Sequence, residues 1–366
     1  MKINEFTRTG ILLNAVKAPY EIFEKLCENY EPDELLKGGE SFLEELGLNK
    51  SKREKLASLI SQNFSEKEIS RLEKIDSKFI TAKDLDYPAK LKDLSNPPVG
   101  LYVRGGANIS LPSIAIVGTR KCSDYARTTA MNLARELAKH NITIISGGAR
   151  GIDTAGHRGA LEADGVTIAV FGTGIDRVYP AENRDLFARI LERGALISEF
   201  PLGMGGEAWH FPDRNRIILA MASRIVVVES PEGGGAMLTA RAALKLGREV
   251  WSVPGRISDD VCKGTNELFN EGAKSAVSVQ YFVEKIAGSS EQINLNFDEP
   301  APKNSAPDLS DEEKMIYSLL QRQGGRLADD LIKESKLDFM TVQEALMNLE
   351  ADGLIMNSSG RYSATA

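Results

Sequence analysis

Hydrophobic residues follow different periods in different parts of the chain. Residues 1–80 carry short amphipathic stretches typical of helices, and residues 41–56 place Gly47 between two of them. This pattern predicts an N-terminal helical module of SAM-like or helix-hairpin-helix-like type, with a tight turn at Gly47. Such a hairpin can present backbone N–H groups to a phosphate, or it can serve only as a packing module. The pattern leaves both interpretations open.

From residue 113 onward, apolar runs of strand length alternate with amphipathic helical stretches. The runs occupy 113–118, 142–146, 166–172, 195–198, 224–229 and 249–253. Continuous Val and Ile runs mark strands that are buried on both faces, as in a parallel sheet. The alternation therefore predicts an α/β domain over 81–287, a Rossmann-like, doubly wound and mostly parallel sheet that begins with a Pro- and Gly-rich connector at 81–111.

The last part of the chain has a third pattern. Residues 288–309 are polar and rich in proline, which predicts a linker. Residues 310–366 contain three helical stretches followed by two short extended segments around glycines, which predicts a winged helix. Its predicted recognition helix, 341–351, contains two glutamates and no lysine or arginine. Because such a helix would face phosphates in a DNA groove, we expect a role in protein contact or regulation instead.

Charge is distributed unevenly along the chain. The net charge of −7 on 366 residues argues against a nucleic-acid partner when it is taken as a whole. Residues 112–285, however, hold 21 Lys and Arg against 20 Asp and Glu, and 15 of these cations are arginine. Residues 308–366 hold 6 cations against 11 acids. The acidity thus lies mostly outside the α/β region, where arginine is suited to phosphate.

The sequence also predicts where the protein resides. It has no apolar run long enough to cross a membrane and no signal-peptide pattern at the N-terminus. Its three cysteines are scattered, which fits a reducing cytoplasm and buried structural thiols. With the three histidines they form no metal-ligand spacing. We therefore expect a cytoplasmic protein without a metal or other cofactor.

Glycines and polar residues cluster where the predicted strands end. The ends carry Gly118–Arg120, Ser146–Asp153, Gly172–Gly174, Ser198–Glu199, Phe211–Arg216, Glu229–Gly235 and Pro254–Arg256. Ligands of open α/β sheets bind beyond the carboxyl ends of the strands, and glycine lets a backbone approach a phosphate closely. Several such loops on one edge predict an anion groove. A nucleotide, a sugar phosphate and a nucleic-acid strand all fit this prediction.

The usual signatures of an enzyme are missing. The chain has no P-loop sequence, no dinucleotide-binding glycine pattern after the first strand and no G-x-S-x-G elbow. His157 is a candidate base, but capping or packing within the glycine-rich turn explains it better, and Asp153 has the position of a helix-capping residue. No catalytic residue is predicted.

Taken together, these motifs resemble the DprA/Smf family. The resemblance spans about 85–285 and is carried by Val117–Arg120, Ser146–Asp153 with His157, Gly174–Pro180 with Asn183, Phe211–Arg216, Leu238–Ala240, Val253–Gly255 and Gly264–Asn266. It implies single-stranded DNA binding without enzymatic turnover. It also implies protection of incoming DNA in natural transformation, loading of the recombinase RecA onto that DNA, and a homodimer through the α/β core.

The resemblance also implies which residues hold the strand. These are Arg120, Ser146, Gly147, Gly174, Asn183, Arg214, Asn215 and Arg216, with Lys263 as a further candidate. Tyr179 either stacks on a base or forms a packed Tyr-Pro turn. One departure is that Gly234–Met237 stands where the family commonly has Ser-Gly-Ser, so two hydroxyls are missing.

The main alternative is a nucleotide phosphoribohydrolase of the lysine-decarboxylase-like (LOG) class. That class shares a related α/β core and has a G-G-x-G-T-x-x-E motif at a similar place. In this chain the acid position falls on Ala240 or Arg241, depending on the glycine from which it is counted. Neither side chain can act as a carboxylate, so the sequence favours the DNA-binding interpretation.

Overall fold

The computed structural model describes residues 5–32, 34–111, 113–288, 309–322, 326–351, 354–358 and 361–364. It divides into two compact units, Met1–Asn294 and Leu295–Ala366. The predicted linker at 288–309 lies outside the described residues except at its two ends.

The first unit begins with short helices. They are α1 (Thr7–Ala15), α2 (Tyr20–Asn29), α3 (Glu34–Lys37), α4 (Glu40–Glu45), α5 (Lys50–Ser61) and α6 (Phe64–Lys74). Gly47 adopts a left-handed conformation with φ of 86°, which glycine tolerates at little cost, and so forms the predicted turn between α4 and α5. Leu43, Leu46 and Leu56 of this hairpin are buried in the same core cluster as side chains of the sheet.

Within the described residues, the sheet of the first unit contains nine strands. They are β1 (Ser77–Thr81), β2 (Gly100–Arg104), β3 (Ser113–Val117), β4 (Thr143–Ser146), β5 (Thr167–Phe171), β6 (Ala195–Ser198), β7 (Ala222–Val227), β8 (Glu249–Ser252) and β9 (Lys274–Ser275). Their order is β1-β2-β6-β5-β4-β3-β7-β8-β9. Strands β3 to β9 pair in parallel, whereas β1 and β2 pair antiparallel.

Helices cover both faces of this sheet. They are α7 (Asp124–Lys139), α8 (Ile152–Glu162), α9 (Arg184–Arg193), α10 (His210–Met221), α11 (Gly235–Lys245), α12 (Lys263–Asn270) and α13 (Val279–Ala287). Successive side chains of a strand point to opposite faces. Ile114 and Ile116 accordingly pack in one cluster with α7 and α8, and Ala115 and Val117 pack in another with α10 and α11. The predicted doubly wound α/β fold is confirmed.

The N-terminal edge of the sheet differs from the expected helical module and connector. The predicted boundary at 80/81 falls inside β1, and the connector contributes β2. Phe79 and Tyr102 face each other across these two strands with ring centroids 4.8 Å apart. This contact between aromatic side chains distant in sequence helps to join β1 and β2 to the sheet. Helices α1 to α6 belong to the same compact unit as the core.

Helices α7 and α8 pack at very close range. A Cβ atom on Gly159 of α8 would lie 2.8 Å from the Cα atom of Met131 in α7. No side chain fits at this position unless one helix moves. The glycine therefore sets the spacing of the two helices.

His157 lies inside α8 and is fully buried. Its Nδ1 atom lies 2.7 Å from Thr167 Oγ1, and that hydroxyl donates to the carbonyl oxygen of Ile144. The imidazole therefore donates from Nδ1, and Nε2 has no partner in the described structure. Burial lowers the pKa of His157 to about 3, and the charge of Arg214 acts in the same direction. The ring is neutral and packs in the interior.

The second unit has the topology of a winged helix. It consists of α14 (Asp311–Arg322), β10 (Arg326–Leu327), α15 (Ala328–Ser335), α16 (Phe339–Ala351), β11 (Ile355–Ser358) and β12 (Arg361–Ala364). The strands form an antiparallel sheet in the order β10-β12-β11. Ile316, Leu331 and Leu346 are buried between the helices and form the core of this unit. Within the ranges described above, no helix is long and apolar enough to cross a membrane.

Gly159→Ala should lower the free energy of unfolding by about 1–3 kcal/mol, because the methyl group forces α7 and α8 apart. Urea unfolding, followed by the fluorescence of Trp209 and Trp251, measures this change. Gly106→Ala is the matched control, since nothing lies within 4 Å of a Cβ at that exposed position. We expect it to stay within about 0.5 kcal/mol of wild type. Equal stability of the two variants would contradict the close packing.

Acid should destabilise the first unit through His157. Its pKa is near 6.5 when unfolded and about 3 when folded, so the unfolded chain binds more protons between these values. Stability is therefore lost as the pH falls below 6.5. At pH 5 the loss relative to pH 7 is about 2 kcal/mol. Urea unfolding at both pH values should show a steeper loss for wild type than for His157→Gln. The same loss in both proteins would refute this assignment.

Candidate nucleic-acid interface

The loops after the parallel strands meet at one edge of the sheet, as the sequence predicts. The chain leaves β3 toward β4 on one side and later returns to β7 on the other, which opens a crevice between β3 and β7. A cavity of about 700 Å³, here called the switch-point cavity, lies there. It is lined by the loop Gly118–Lys121, the start of α10 and the start of α11.

Arg120 is the centre of this edge. It is exposed, and its guanidinium carbon lies 4.9 Å from the centroid of the Phe211 ring. Across the described residues it forms no salt bridge. It borders the switch-point cavity, a small cavity lined by Phe171, Tyr179 and Phe211 (the aromatic cavity), and a third cavity described below. Arg120 therefore offers an available positive charge where three cavities join.

Arg214 is buried and serves a different purpose. Its Nη1 atom donates to the carbonyl oxygen of Gly147 at 2.5 Å and to that of Val170. These carbonyls lie at the end of β4 and within β5, so the guanidinium ties two neighbouring strands together. Burial lowers the pKa of Arg214 to about 10, although the nearby Asp153 acts to raise it. The residue stays charged at neutral pH but faces the interior.

Asp153 balances this buried cation. It lies in the first turn of α8, and its Oδ2 atom accepts a hydrogen bond from the backbone N–H of Ala149 at 3.2 Å. Burial raises its pKa, while the charge of Arg214 and the Ala149 hydrogen bond act to lower it. Gly147 is also required here, because a Cβ on it would overlap the Arg214 guanidinium. Together these groups fix the shape of the β4–α8 loop.

Ser146, Gly174 and Asn183 are buried supports of the loops rather than surface contacts. Ser146 Oγ donates to the Ile116 carbonyl oxygen at 2.6 Å and so joins β4 to β3. Asn183 Nδ2 donates to the Gly148 carbonyl oxygen at 3.0 Å. A Cβ on Gly174 would lie 2.5 Å from the carbonyl oxygen of Pro201. The sequence predicts that Ser146, Gly174 and Asn183 contact a DNA strand. In the structure, the side chains of Ser146 and Asn183 point into the interior.

Arg216 and Asn215 are engaged by other parts of the chain. Arg216 Nη2 lies 2.5 Å from both carboxylate oxygens of Glu199, and Nη1 donates to the Asn96 carbonyl oxygen at 2.7 Å. Asn215 Nδ2 donates to Thr239 Oγ1 at 3.0 Å. Glu199 neutralises the charge of Arg216, so this predicted contact has little attraction left for a phosphate.

Tyr179 and Lys263 are both exposed, but only Tyr179 lies near Arg120. The Tyr179 ring is 49% exposed, and its centroid lies 5.8 Å from that of Phe211. Both rings line the aromatic cavity. Lys263 begins α12 rather than lying in a loop, and its Nζ atom pairs with Asp260 at 2.6 Å. It lines none of the three cavities that border Arg120.

The third cavity beside Arg120 is one that the sequence does not reveal. It measures about 350 Å³ and lies between α7 and α8, and we call it the helix recess. Its basic lining residues are Arg120, Lys121, Arg127, Arg150 and Arg158. The strand-end rule points to loops, whereas Arg127 and Arg158 lie inside helices. Their only signal in the sequence is that each lies in the helix that follows a glycine-containing strand end.

The position required for a phosphoribohydrolase glutamate holds no acid. Ala240 is fully buried in α11. Arg241 pairs with Glu267 at 3.1 Å and with Glu271 at 2.6 Å, on the side of α12. The geometry at both positions agrees with the absence noted in the sequence.

Comparison with known proteins identifies relatives over most of the chain. Protein Smf of Synechocystis is 31% identical over 316 residues, which cover 78% of this chain and 79% of that protein. The X-ray structure of DNA processing protein A (DprA) from Streptococcus pneumoniae is 30% identical, with a TM-score of 0.65, and the match covers 76% of this chain and 97% of that one.

A second solved structure is that of DprA from Helicobacter pylori, which is described as having a unique single-stranded DNA binding mode. It is 29% identical, with a TM-score of 0.53, and the match covers 58% of this chain and 97% of that one. The model of the DprA winged helix domain matches residues 300–361. The model of DNA recombination-mediator protein A matches residues 78–287, more than half of the chain, which therefore belongs to this DprA/Smf family of DNA-processing proteins.

Proposed function

We propose that this chain binds single-stranded DNA along the strand-end loops, with Arg120 at the centre of the contact. One observation carries the proposal. Arg120 is exposed, has no salt bridge within the described structure, rests on Phe211 and borders three cavities. A phosphate attracts most strongly a cation that no carboxylate already neutralises. Among Arg120, Arg214 and Arg216, this condition selects Arg120.

The cavities on either side of Arg120 suit the other parts of a nucleotide. Tyr179 and Phe211 offer ring faces on which a base can stack, worth about 1–3 kcal/mol per base. Contacts of this kind tolerate every base, so we expect little dependence on sequence. The Helicobacter pylori relative, described as binding single-stranded DNA, supports the choice of this ligand class.

Membership of the DprA/Smf family supports a wider proposal. In it, the chain protects incoming DNA during natural transformation and loads the recombinase RecA onto it. It also forms a homodimer through the Rossmann-like core. The core exposes apolar side chains that an interface would cover, including Leu238 and Leu246 of α11, which are 65% and 59% exposed.

The proposed function includes no catalytic turnover. Hydrolysis of a nucleotide glycosidic bond in the LOG class relies on a carboxylate, and Ala240 and Arg241 supply none. His157 is buried with a neutral ring, and Asp153 is held by Arg214 and Ala149. His157 is held by Thr167 of β5 and Asp153 by the β4–α8 loop, so neither is placed to act on a bound ligand.

Arg120→Ala should weaken binding of oligo-dT about tenfold or more, because a charge-assisted contact contributes about 1.5–3 kcal/mol. The slope of log affinity against log salt should become shallower by about 0.7, the value for one lost phosphate contact. Fluorescence anisotropy at several salt concentrations measures both quantities. Arg189→Ala, which removes an exposed arginine of α9 away from the three cavities, should match wild type. If Arg120→Ala also matched wild type, the proposed site would be wrong.

Removal of the winged-helix unit, residues 295–366, should leave the affinity for oligo-dT within about twofold of the full chain. This unit is acidic, so its loss removes only a weak, salt-screened repulsion. Anisotropy titrations of both proteins at low and high salt test this expectation. A large loss of affinity on truncation would place a DNA contact in the winged helix.

A further inference from the structure

The helix recess is a cavity of about 350 Å³ whose walls come from two helices. Arg127 and Met131 contribute from the first half of α7, and Thr154 and Arg158 from the first and middle parts of α8. The contact at Gly159 holds these helices at a fixed spacing. The recess is therefore a built feature of the fold and not a gap between loose side chains.

The recess is strongly cationic. Arg120, Lys121, Arg127, Arg150 and Arg158 line it, and Glu182 is the one carboxylate among the described residues of the lining. Lys121 and Arg158 form no salt bridge with any described residue. Arg127 pairs with Asp124, which is 93% exposed, and Arg150 pairs with Glu182. Gathering five cations around one carboxylate is unfavourable in isolation, and an anion in the recess would relieve their repulsion.

The lining also indicates which part of a nucleotide belongs there. Among the described residues no aromatic ring lines the recess, whereas Tyr179 and Phe211 line the aromatic cavity, which shares Arg120 with it. Cations without stacking surfaces suit a phosphodiester backbone rather than a base. Because Arg120 lines both cavities, a strand held at Arg120 reaches the recess without a break.

We propose that the helix recess is a second phosphate-binding site, which takes the backbone of single-stranded DNA where it continues past Arg120. This inference rests on the proposed function. The bases of the continuing nucleotides face away from the recess, so this part of the strand is bound without regard to sequence. Glu182 lowers the net charge of the recess and competes with phosphate for Arg150.

Binding of oligo-dT of increasing length to the full chain tests this proposal, with the double variant Arg127→Ala/Arg158→Ala. Oligonucleotides too short to leave the Arg120 site should bind as they do to wild type. Longer ones should bind about tenfold more weakly, with a salt slope shallower by about 1.4, the value for two lost phosphate contacts. The affinity of wild type should therefore rise with length further than that of the variant.

A matched control is available on α7 and α9. Lys139→Ala/Arg189→Ala also removes two exposed cations, one ion-paired and one without a salt bridge to any described residue, and neither lines the three cavities. We expect this control to bind every length as wild type does. If Arg127→Ala/Arg158→Ala behaves like the control, the recess is not a phosphate site. If wild type itself fails to bind oligo-dT, the proposed function fails instead.

Glu182→Gln tests the same site with the opposite sign. Removing the carboxylate frees Arg150, so the affinity for long oligonucleotides should rise several-fold while that for short ones changes little. A gain of affinity cannot result from misfolding. An unchanged or lower affinity for long oligonucleotides would overturn the proposal. So would a gain for duplex DNA of the same length that exceeded the gain for oligo-dT.

Discussion

The site depends on one buried cation. Arg214 lies in the second turn of α10, and its guanidinium holds the carbonyl oxygens of Gly147 and Val170. A buried charge is tolerated only when it is paired and hydrogen-bonded, and Asp153 in α8 supplies the opposite charge. This single group thus joins two strands and two helices at the edge where the loops meet. The glycine at 147 follows from the space that the guanidinium requires, because a Cβ there would overlap it.

Arg120, Arg214 and Arg216 differ in how much of their charge is available to a ligand. Arg214 is buried and binds backbone carbonyl oxygens in the interior. Arg216 is neutralised by Glu199 and also donates to the Asn96 carbonyl oxygen. Of the three, only Arg120 keeps an available charge, because it rests on the ring of Phe211 and forms no salt bridge with a described residue. The attraction that this edge has for an anion therefore comes from a small part of its arginine content. The helix recess adds cations that lie on helices rather than loops.

The sequence predicts the fold well, because continuous Val and Ile runs such as 113–118 and 142–146 mark buried parallel strands. It also predicts that Arg120, Gly147 and Arg214 lie at one edge of the sheet, because the carboxyl ends of parallel strands meet there. It does not show which of these arginines are exposed and which are engaged by other parts of the chain. Arg214 binds the carbonyl oxygen of Val170, 44 residues away, and Arg216 binds that of Asn96, 120 residues away. Strands β1 and β2 escape prediction for a similar reason, since their pairing depends on Phe79 and Tyr102. The helix recess requires the relative placement of two helices, which no local pattern contains.

The stacking of Arg120 on Phe211 has a consequence for how a ligand would associate. A long side chain on a surface normally loses rotational freedom when it binds, at a cost of about 0.5–1.5 kcal/mol. Phe211 lies in the first turn of α10, and the buried Arg214 guanidinium carbon lies 6.0 Å from its ring centroid, so a buried group helps to hold the ring beneath Arg120 in place. Much of the ordering of the Arg120 guanidinium is thus completed during folding. Most of the conformational entropy lost on association is then lost by the incoming ligand. A flexible ligand should therefore lose more binding free energy to its own ordering than a stiff one.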